Sequence, residues 1–130
     1  MAERVDHKLA RAAADVLRDQ KVDAELRTRM RGLPALLQTS GLAATCAFLL
    51  SRVKEHKPTD AYWRTAKTLL DEAARAIGVD PDPDPRAALD KLTQVTGQQY
   101  VLAETRAAML ALWLSRLAQA KAEAQKQDPS

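Results

Sequence analysis

Glycine and aromatic residues are scarce in this chain. Its 130 residues include four glycines, and aromatic residues make up 4 % of the composition. Because sheets depend on cross-strand pairs of β-branched and aromatic side chains, this composition argues against a sheet protein. The length suits one domain, which hides about two-thirds of its unfolded surface and so can hold an independent hydrophobic core.

Cysteine and long apolar segments are also scarce. Cys46 is the single cysteine, so no intramolecular disulfide is possible and a reducing compartment is expected. The N-terminus is charged from its third residue and has no apolar segment of the signal-peptide kind. The longest apolar stretches, Gly41–Leu50 and Ala107–Leu114, fall short of the roughly 20 residues that cross a bilayer. We therefore expect a soluble, cytoplasmic protein without membrane contact.

Catalytic side chains are few and badly placed. Nucleophilic catalysis needs a nucleophile beside a base, but His7 lies in an amphipathic segment and His56 in a charged loop. Cys46 lies in the most apolar segment, where we expect it to be buried as a small hydrophobic residue. No Cys/His spacing fits zinc, and no glycine-rich turn could bind a phosphate. We predict no catalytic residue, no cofactor and no small-molecule substrate.

Three acids alternate with prolines at Asp80, Asp82 and Asp84. The series differs from a calcium loop, because the central glycine and the downstream bidentate glutamate are missing. We interpret it as a stiff, solvated acidic linker and predict no metal site.

Apolar residues recur at helical spacing and predict an all-α, compact helical bundle of five to six helices. We expect one domain over residues 1–125 and a disordered tail over residues 126–130. The predicted helical segments are Glu3–Gln20, Asp23–Gln38, Leu42–Val53, Ala61–Ile77, Pro85–Gly97 and Gln98–Gln125.

Local signals mark several of the helix ends. Asp23, Thr59 or Asp60, and Asp84 before Pro85 are predicted N-caps, and Gly78 is predicted at the position after a helix C-terminus.

Two predicted helices carry unusual patterns. Gly32 and Pro34 interrupt the second one, because proline removes a backbone donor and disfavours helix at the preceding residue. A kink or a short break is expected there. The third helix is apolar almost all round, and the C-terminal helix has no polar face over Ala107–Leu114. Both are expected to be surrounded by other helices.

Positive charge is concentrated in one part of the chain. The segment Leu26–Lys57 holds six cations and one carboxylate, a net charge of +5. The whole chain carries +3, so the remainder carries −2. A basic segment in an otherwise acidic chain predicts a polyanion or an acidic partner on one side.

Cations with an acid four residues away can be neutralised on their own helix. This spacing offers the pairs Asp15–Arg11, Asp23–Arg27, Glu25–Arg29, Asp60–Arg64 and Asp71–Arg75. Among the other cations, those without an acid four residues away include Arg31, Lys54, Lys57, Arg106 and Arg116, while Arg52 has only Glu55, three residues away. Because aromatic residues are scarce, these cations would contact phosphates without reading bases. The alternative for Arg106 and Arg116 is that their stems lie on Leu102 or Trp113.

Two segments resemble a known family. Thr28–Leu50 contains a basic run, Leu33-Pro34, an apolar pair, a polar turn, Gly41-Leu42 and an apolar helix ending in Ala-Phe-Leu. This pattern resembles the signature of the small helical subunit of the Cmr-type (type III-B) CRISPR–Cas complex. Tyr100–Leu117 is similar to the last helix of that family, with its arginine, its Trp-Leu pair and its closing basic residue.

The resemblance implies a function. Members are compact helical bundles that stack in several copies as a minor filament beside the backbone subunits that hold guide RNA, while other subunits carry the catalysis. The expected partners are the backbone and large subunits, copies of the chain itself, guide RNA and target RNA. By this resemblance, with Arg52, Lys54 and Lys57 added from charge alone, the predicted RNA-binding residues are Arg27, Arg29, Arg31, Arg52, Lys54, Lys57, Arg106 and Arg116.

Two other functions stay open from the residues. A helical adaptor would place the same cations against acidic protein surfaces without any RNA contact. A small nuclease or other enzyme would need metal- or pH-dependent turnover, and the sequence supplies no ligand cluster for it.

Overall fold

The computed structural model describes residues 4–55 and 59–127. This part of the chain forms six helices and no strand, which confirms the all-α class. The helices are α1 (Val5–Leu17), α2 (Ala24–Ser40), α3 (Leu42–Ser51), α4 (Ala61–Ala76), α5 (Pro85–Leu92) and α6 (Gly97–Gln127).

Helix α6 is the axis of the bundle. It has 31 residues and packs against α1, α2 and α4. The backbone of Val22 exchanges two hydrogen bonds with the Gln125 amide, while Leu42 donates to Glu104, so α2 and α6 run antiparallel. The side of α6 that faces its neighbours is mostly alanine. Its buried residues are Ala103, Ala107, Leu110, Ala111, Leu114, Ala118 and Ala122. These alanines allow the surrounding helices to approach closely, because interaxial distance depends on side-chain size at the contact.

Two expectations about buried helices are wrong. Helix α3 lies at the side of the bundle, since Ala44 and Ala47 are exposed. The centre of α6 is covered on one face only, and Met109 and Leu112 are 38 % and 44 % exposed on the other. A helix turns each side chain by about 100° from the last, so a run of apolar residues covers its whole circumference even when neighbours cover only part of it.

The break expected at Gly32 and Pro34 is absent, because α2 is continuous from Ala24 to Ser40. Proline removes one backbone hydrogen bond, to the carbonyl of Met30. Met30, Leu33 and Leu37 are buried on the same face of the helix. Their packing against α6 holds the helix through the proline.

The predicted helix ends are confirmed at α2, α4 and α5. Asp23 accepts a hydrogen bond from the N–H of Leu26 at 2.8 Å, and Asp60 and Asp84 cap α4 and α5 in the same way. After α4, Gly78 adopts a φ of 72°. The N–H groups of Gly78 and Val79 bond to the carbonyls of Arg75 and Ala74, the pattern of a Schellman motif.

The boundary between the last two helices differs from the prediction. Helix α5 ends at Leu92, and Gly97 is the first residue of α6, not the last of α5. Thr96 and Gln99 exchange side-chain-to-backbone hydrogen bonds of 3.2 Å in both directions. This capping box starts α6. Helix α6 continues to Gln127, while residues 128–130 lie outside the described part of the chain.

The sequence predicts no membrane-spanning segment. Among the helices of the described ranges, none is long and apolar enough to cross a membrane.

Candidate nucleic-acid interface

The three arginines of α2 lie on two sides of the helix. Residues two apart are separated by about 200° and residues four apart by about 40°. Arg27 and Arg31 therefore share one side, which borders α6, and Arg29 lies on the other, which borders α3. The basic run that the sequence presents as one unit is thus divided between two surfaces.

Arg29 meets Arg52 over a single aromatic ring. The guanidinium carbon of Arg29 lies 5.0 Å from the centroid of the Phe48 ring, and that of Arg52 lies 5.7 Å from it. We call these three residues the cation–phenyl cluster. Each contact is worth about 0.5–1 kcal/mol at a site exposed to water, enough to offset part of the repulsion between two like charges. The ring comes from the exposed border of α3, and the cations come from α2 and from the end of α3.

Tyr62 lies beside both Arg29 of this cluster and the acid Glu25. The Tyr62 hydroxyl donates to the Glu25 carboxylate at 3.0 Å. Burial, and then the Glu25 hydrogen bond and charge, raise the pKa of Tyr62, while Arg29 acts in the opposite direction. Within the described ranges, neither Arg29 nor Arg52 forms an ion pair with a carboxylate.

Lys54 extends the same surface along the chain. It is exposed two residues after Arg52, and its backbone N–H donates to Asp60 at 3.1 Å. Its ammonium group has no ion-pair partner in the part of the chain that the structure describes. Lys57, which was predicted beside it, lies outside the described residues.

Arg27 joins α2 to α6. Its Nε donates to Gln119 at 2.6 Å, and its Nη2 donates to Glu123 at 2.7 Å. The hydrogen bond from Arg27 is the main cause that lowers the pKa of Glu123. The predicted pair of Arg27 with Asp23 is therefore wrong, because Asp23 caps α2.

Arg106 also has a carboxylate partner. Its Nη1 donates to Glu72 at 3.3 Å, and Arg75 donates to the other oxygen of Glu72 at 2.8 Å. Glu72 is 6 % exposed, and Arg106 joins α6 to α4. Helical spacing could not reveal this pair, since the two residues are 34 apart. A signal was present in α4, where Glu72 adjoins the apolar stripe, because a carboxylate on the buried side of a helix needs a partner.

Other predicted ion pairs are replaced by different ones. Asp71 forms an ion pair with Lys67 at 2.6 Å and not the predicted one with Arg75. Arg64 donates to the backbone carbonyl of Asp15, while the Asp15 side chain pairs with Arg18.

Arg31 and Arg116 are exposed on α2 and α6. In the described ranges neither side chain forms an ion pair or a hydrogen bond. They lie away from the cation–phenyl cluster, on the side where α2 borders α6.

The reactive groups are dispersed. Cys46 is buried, and burial raises the pKa of its thiol to about 12. His7 is exposed on α1, and His56 lies outside the described residues. In the acidic linker Asp82 pairs with Lys91 at 2.7 Å, which lowers the pKa of Asp82. A group of three His, Cys, Asp or Glu side chains able to hold a metal is not found in residues 4–55 or 59–127.

Comparison with known proteins identifies a family. The model of the family described as CRISPR-associated protein (Cas_Cmr5) matches residues 1–121. The match includes Thr28–Leu50 and Tyr100–Leu117, the segments that carry the resemblance. The predicted RNA-binding residues also lie within residues 1–121. No curated protein and no solved structure matches the chain.

Proposed function

We propose that this chain, which belongs to the Cas_Cmr5 family and so is the small subunit of a type III-B Cmr complex, stabilises guide and target RNA through phosphate contacts. In this proposal several copies stack as the minor filament beside the backbone subunits, in the cytoplasm, as part of antiviral defence. The chain has no catalytic step of its own. It supplies a rigid helical body and a cationic surface.

The cation–phenyl cluster carries the proposal. Two guanidiniums are held over one ring by residues of two packed helices, and neither forms an ion pair with a carboxylate of the described ranges. Two fixed positive charges at close range attract a phosphate more strongly than one. Because the ring already restrains both side chains, less conformational entropy is lost when they bind.

The aromatic residues favour phosphate contact over base stacking. Proteins that bind single strands by stacking present aromatic faces to the bases. Here all five aromatic side chains, Phe48, Tyr62, Trp63, Tyr100 and Trp113, are partly buried. Two arginines already lie over the Phe48 ring. The expected binding is therefore independent of base sequence and sensitive to salt.

We assign RNA contact to Arg29, Arg52 and Lys54 within the predicted set. Arg27 and Arg106 instead join helices through Glu123 and Glu72, and using them for RNA would require breaking these pairs.

The test removes the two clustered charges together. Arg29→Gln with Arg52→Gln in the reconstituted complex should weaken binding of a labelled target RNA. The slope of log affinity against log salt should fall by about 1.4, since each phosphate contact on a single strand contributes about 0.7. The matched control is Lys8→Gln with Arg18→Gln on α1, which removes the same charge from two exposed residues elsewhere and should leave the slope unchanged.

A second variant separates position from charge. Phe48→Leu keeps the net charge but removes the ring that holds both guanidiniums. We expect affinity to fall about fivefold, the equivalent of about 1 kcal/mol, with the salt slope retained. If the double arginine variant binds RNA like the unmodified chain, and ribonuclease leaves the assembly intact, the adaptor without RNA contact is the better description. The mass of the assembled complex tests the stacking separately, because it counts the copies.

A further inference from the structure

A groove of about 450 Å³ lies between α2 and α6. We call it the docking groove. Its lining is mainly apolar or small, and consists of Pro34, Leu37, Gln38, Gly41, Val101, Glu104, Thr105, Ala108 and Leu112.

The α6 side of the docking groove is an exposed apolar row. Val101, Ala108 and Leu112 lie on one face of the helix, because they are seven and four residues apart. Val101 is 60 % and Leu112 44 % exposed. Leu102 and Met109, exposed by 56 % and 38 %, continue the surface beside it. Single exposed apolar residues are ordinary on a protein surface, but a contiguous patch marks a site of interaction.

The shape of the groove suits a helix. Two antiparallel helices form its walls, and Ala108 and Gly41 are among the small residues that leave room between them. A third helix packs its side chains into such a groove as helices do within bundles. Amphipathic helices bind apolar grooves in this way, with anchor residues three or four positions apart.

One end of the groove is cationic. Arg31 precedes Pro34 by one turn of α2, and Arg116 follows Leu112 by one turn of α6. The contacts of Arg27 with Gln119 and of Leu42 with Glu104 fix the antiparallel register, which places Arg31 level with Arg116. Neither arginine has an ion pair in the described ranges. An occupant with carboxylates at this end complements the two charges.

The groove itself contains no carboxylate to spare. Among the described residues that line the groove, the acidic one is Glu104. Its carboxylate already accepts a hydrogen bond from the N–H of Leu42. A second copy laid face to face on the groove would therefore bring no free acid from this surface to Arg31 and Arg116. An RNA strand would satisfy the arginines but not the apolar row.

We propose that the docking groove binds an amphipathic helix of another protein subunit. The apolar stripe of that helix packs on Val101, Ala108 and Leu112, and its carboxylates lie over Arg31 and Arg116. The proposal rests on the proposed function in one respect, because the partner is taken to be another subunit of the same complex.

The test uses Leu112→Glu, which places a charge in the centre of the row. The chain is mixed with the purified backbone and large subunits of the complex, freed of RNA with ribonuclease, and association is measured by gel filtration and by titration. We expect affinity to fall by about tenfold or more, as for a central interface residue. The matched control is Val5→Glu on α1, which charges a residue of similar exposure, 40 %. It should associate normally, and thermal unfolding checks that both variants keep their fold.

The cationic end is tested with Arg31→Glu and Arg116→Glu together, against Arg31→Lys and Arg116→Lys. The charge reversal should weaken association, while the lysine variant should keep most of it. Normal association of Leu112→Glu would overturn the proposal. The proposal would also be overturned if Leu112→Glu weakened only the self-association of the isolated chain, because the groove would then bind a second copy. It would be overturned as well if this variant weakened only the binding of an RNA oligonucleotide, because the groove would then bind a nucleic acid.

The two proposals fail independently of each other. Arg29→Gln with Arg52→Gln should change RNA affinity and leave the RNA-free association intact. Leu112→Glu should weaken the RNA-free association, while the isolated chain should keep its affinity for an RNA oligonucleotide.

Discussion

The carboxylate of Glu104 in α6 accepts a hydrogen bond from the backbone N–H of Leu42, the first residue of α3, at 2.9 Å. The Tyr100 hydroxyl accepts one from the next N–H, that of Ala43, also at 2.9 Å. Helix α3 follows Gly41 and has no capping side chain of its own. Another helix, some 60 residues further along the chain, therefore caps it.

Removing this cap should destabilise the protein. Glu104→Ala leaves the N–H of Leu42 without its partner and should lower the free energy of unfolding by about 1–2 kcal/mol. Tyr100→Phe removes the second bond and should cost about 1 kcal/mol. Urea denaturation measures both. The control is Glu123→Ala, an exposed carboxylate of the same helix, and a loss as large as that of Glu104→Ala would contradict the capping role.

Gly41 and Gly32 should respond to alanine in opposite directions. Gly41 has a φ of 87°, and a Cβ built there lies 3.1 Å from an oxygen of Glu104. Gly41→Ala should therefore cost more than about 1 kcal/mol. Gly32 lies inside α2, and apart from the backbone of its own helix and its chain neighbours no atom of the described residues lies within 4 Å of its Cβ position, so Gly32→Ala should stabilise by about 0.5–1 kcal/mol. Thermal unfolding distinguishes the two, and a loss at both positions would contradict the prediction.

Arg106 should matter for folding more than Arg75, although both bind Glu72. The Arg106 side chain is 24 % exposed and that of Arg75 53 %. Arg106→Gln leaves the buried carboxylate with only its exposed partner, and should lower the free energy of unfolding by about 2–3 kcal/mol. Arg75→Gln should cost under about 1 kcal/mol. Equal losses in chemical denaturation would show that burial does not set the strength of these pairs.

Thr45 and Thr65 are both fully buried but differ in their hydroxyl groups. The Thr65 hydroxyl donates to the carbonyl of Ala61 at 2.7 Å, whereas that of Thr45 has no hydrogen-bond partner among residues 4–55 and 59–127. Thr45→Val removes an unsatisfied group and should stabilise the protein by about 1 kcal/mol. Thr65→Val removes an existing hydrogen bond and should be neutral or destabilising. Calorimetry of the two variants tests this difference directly, and a gain at Thr65 would refute it.

Cys46 should make stability fall at high pH. Burial disfavours the thiolate and raises the pKa of this thiol from its ordinary value of 9.0 to about 12 in the folded chain. The folded state then holds a proton that the unfolded state loses, so the free energy of unfolding decreases as pH rises above about 9, by up to about 1.4 kcal/mol per pH unit. Cys46→Ala should show a shallower decrease over the same range in pH-dependent urea unfolding. The thiol should also resist alkylation in the folded protein at pH 8, and rapid reaction there would contradict its burial.

Local signals predicted most helix ends in this chain. Asp23, Asp60 and Asp84 are N-caps as expected, because a cap depends on residues within three positions of each other. The start of α6 was misplaced, yet its capping box of Thr96 and Gln99 is equally local and could have been found. The errors at α3 and in the centre of α6 are of another kind. Both concern which side of an apolar helix is covered.

The helical class, most of the caps and the family could be predicted from the residues alone, because these depend on composition, periodicity and short motifs. Which cations already have a partner depends on how the helices pack. The packing joins Arg27 to Glu123 and Arg106 to Glu72, which are 96 and 34 positions apart. It also brings Arg29 to the Phe48 ring, 19 positions away, where Arg52 lies as well. Charge interactions depend on distance in space. Helical spacing gives that distance within one helix, and packing gives it between helices.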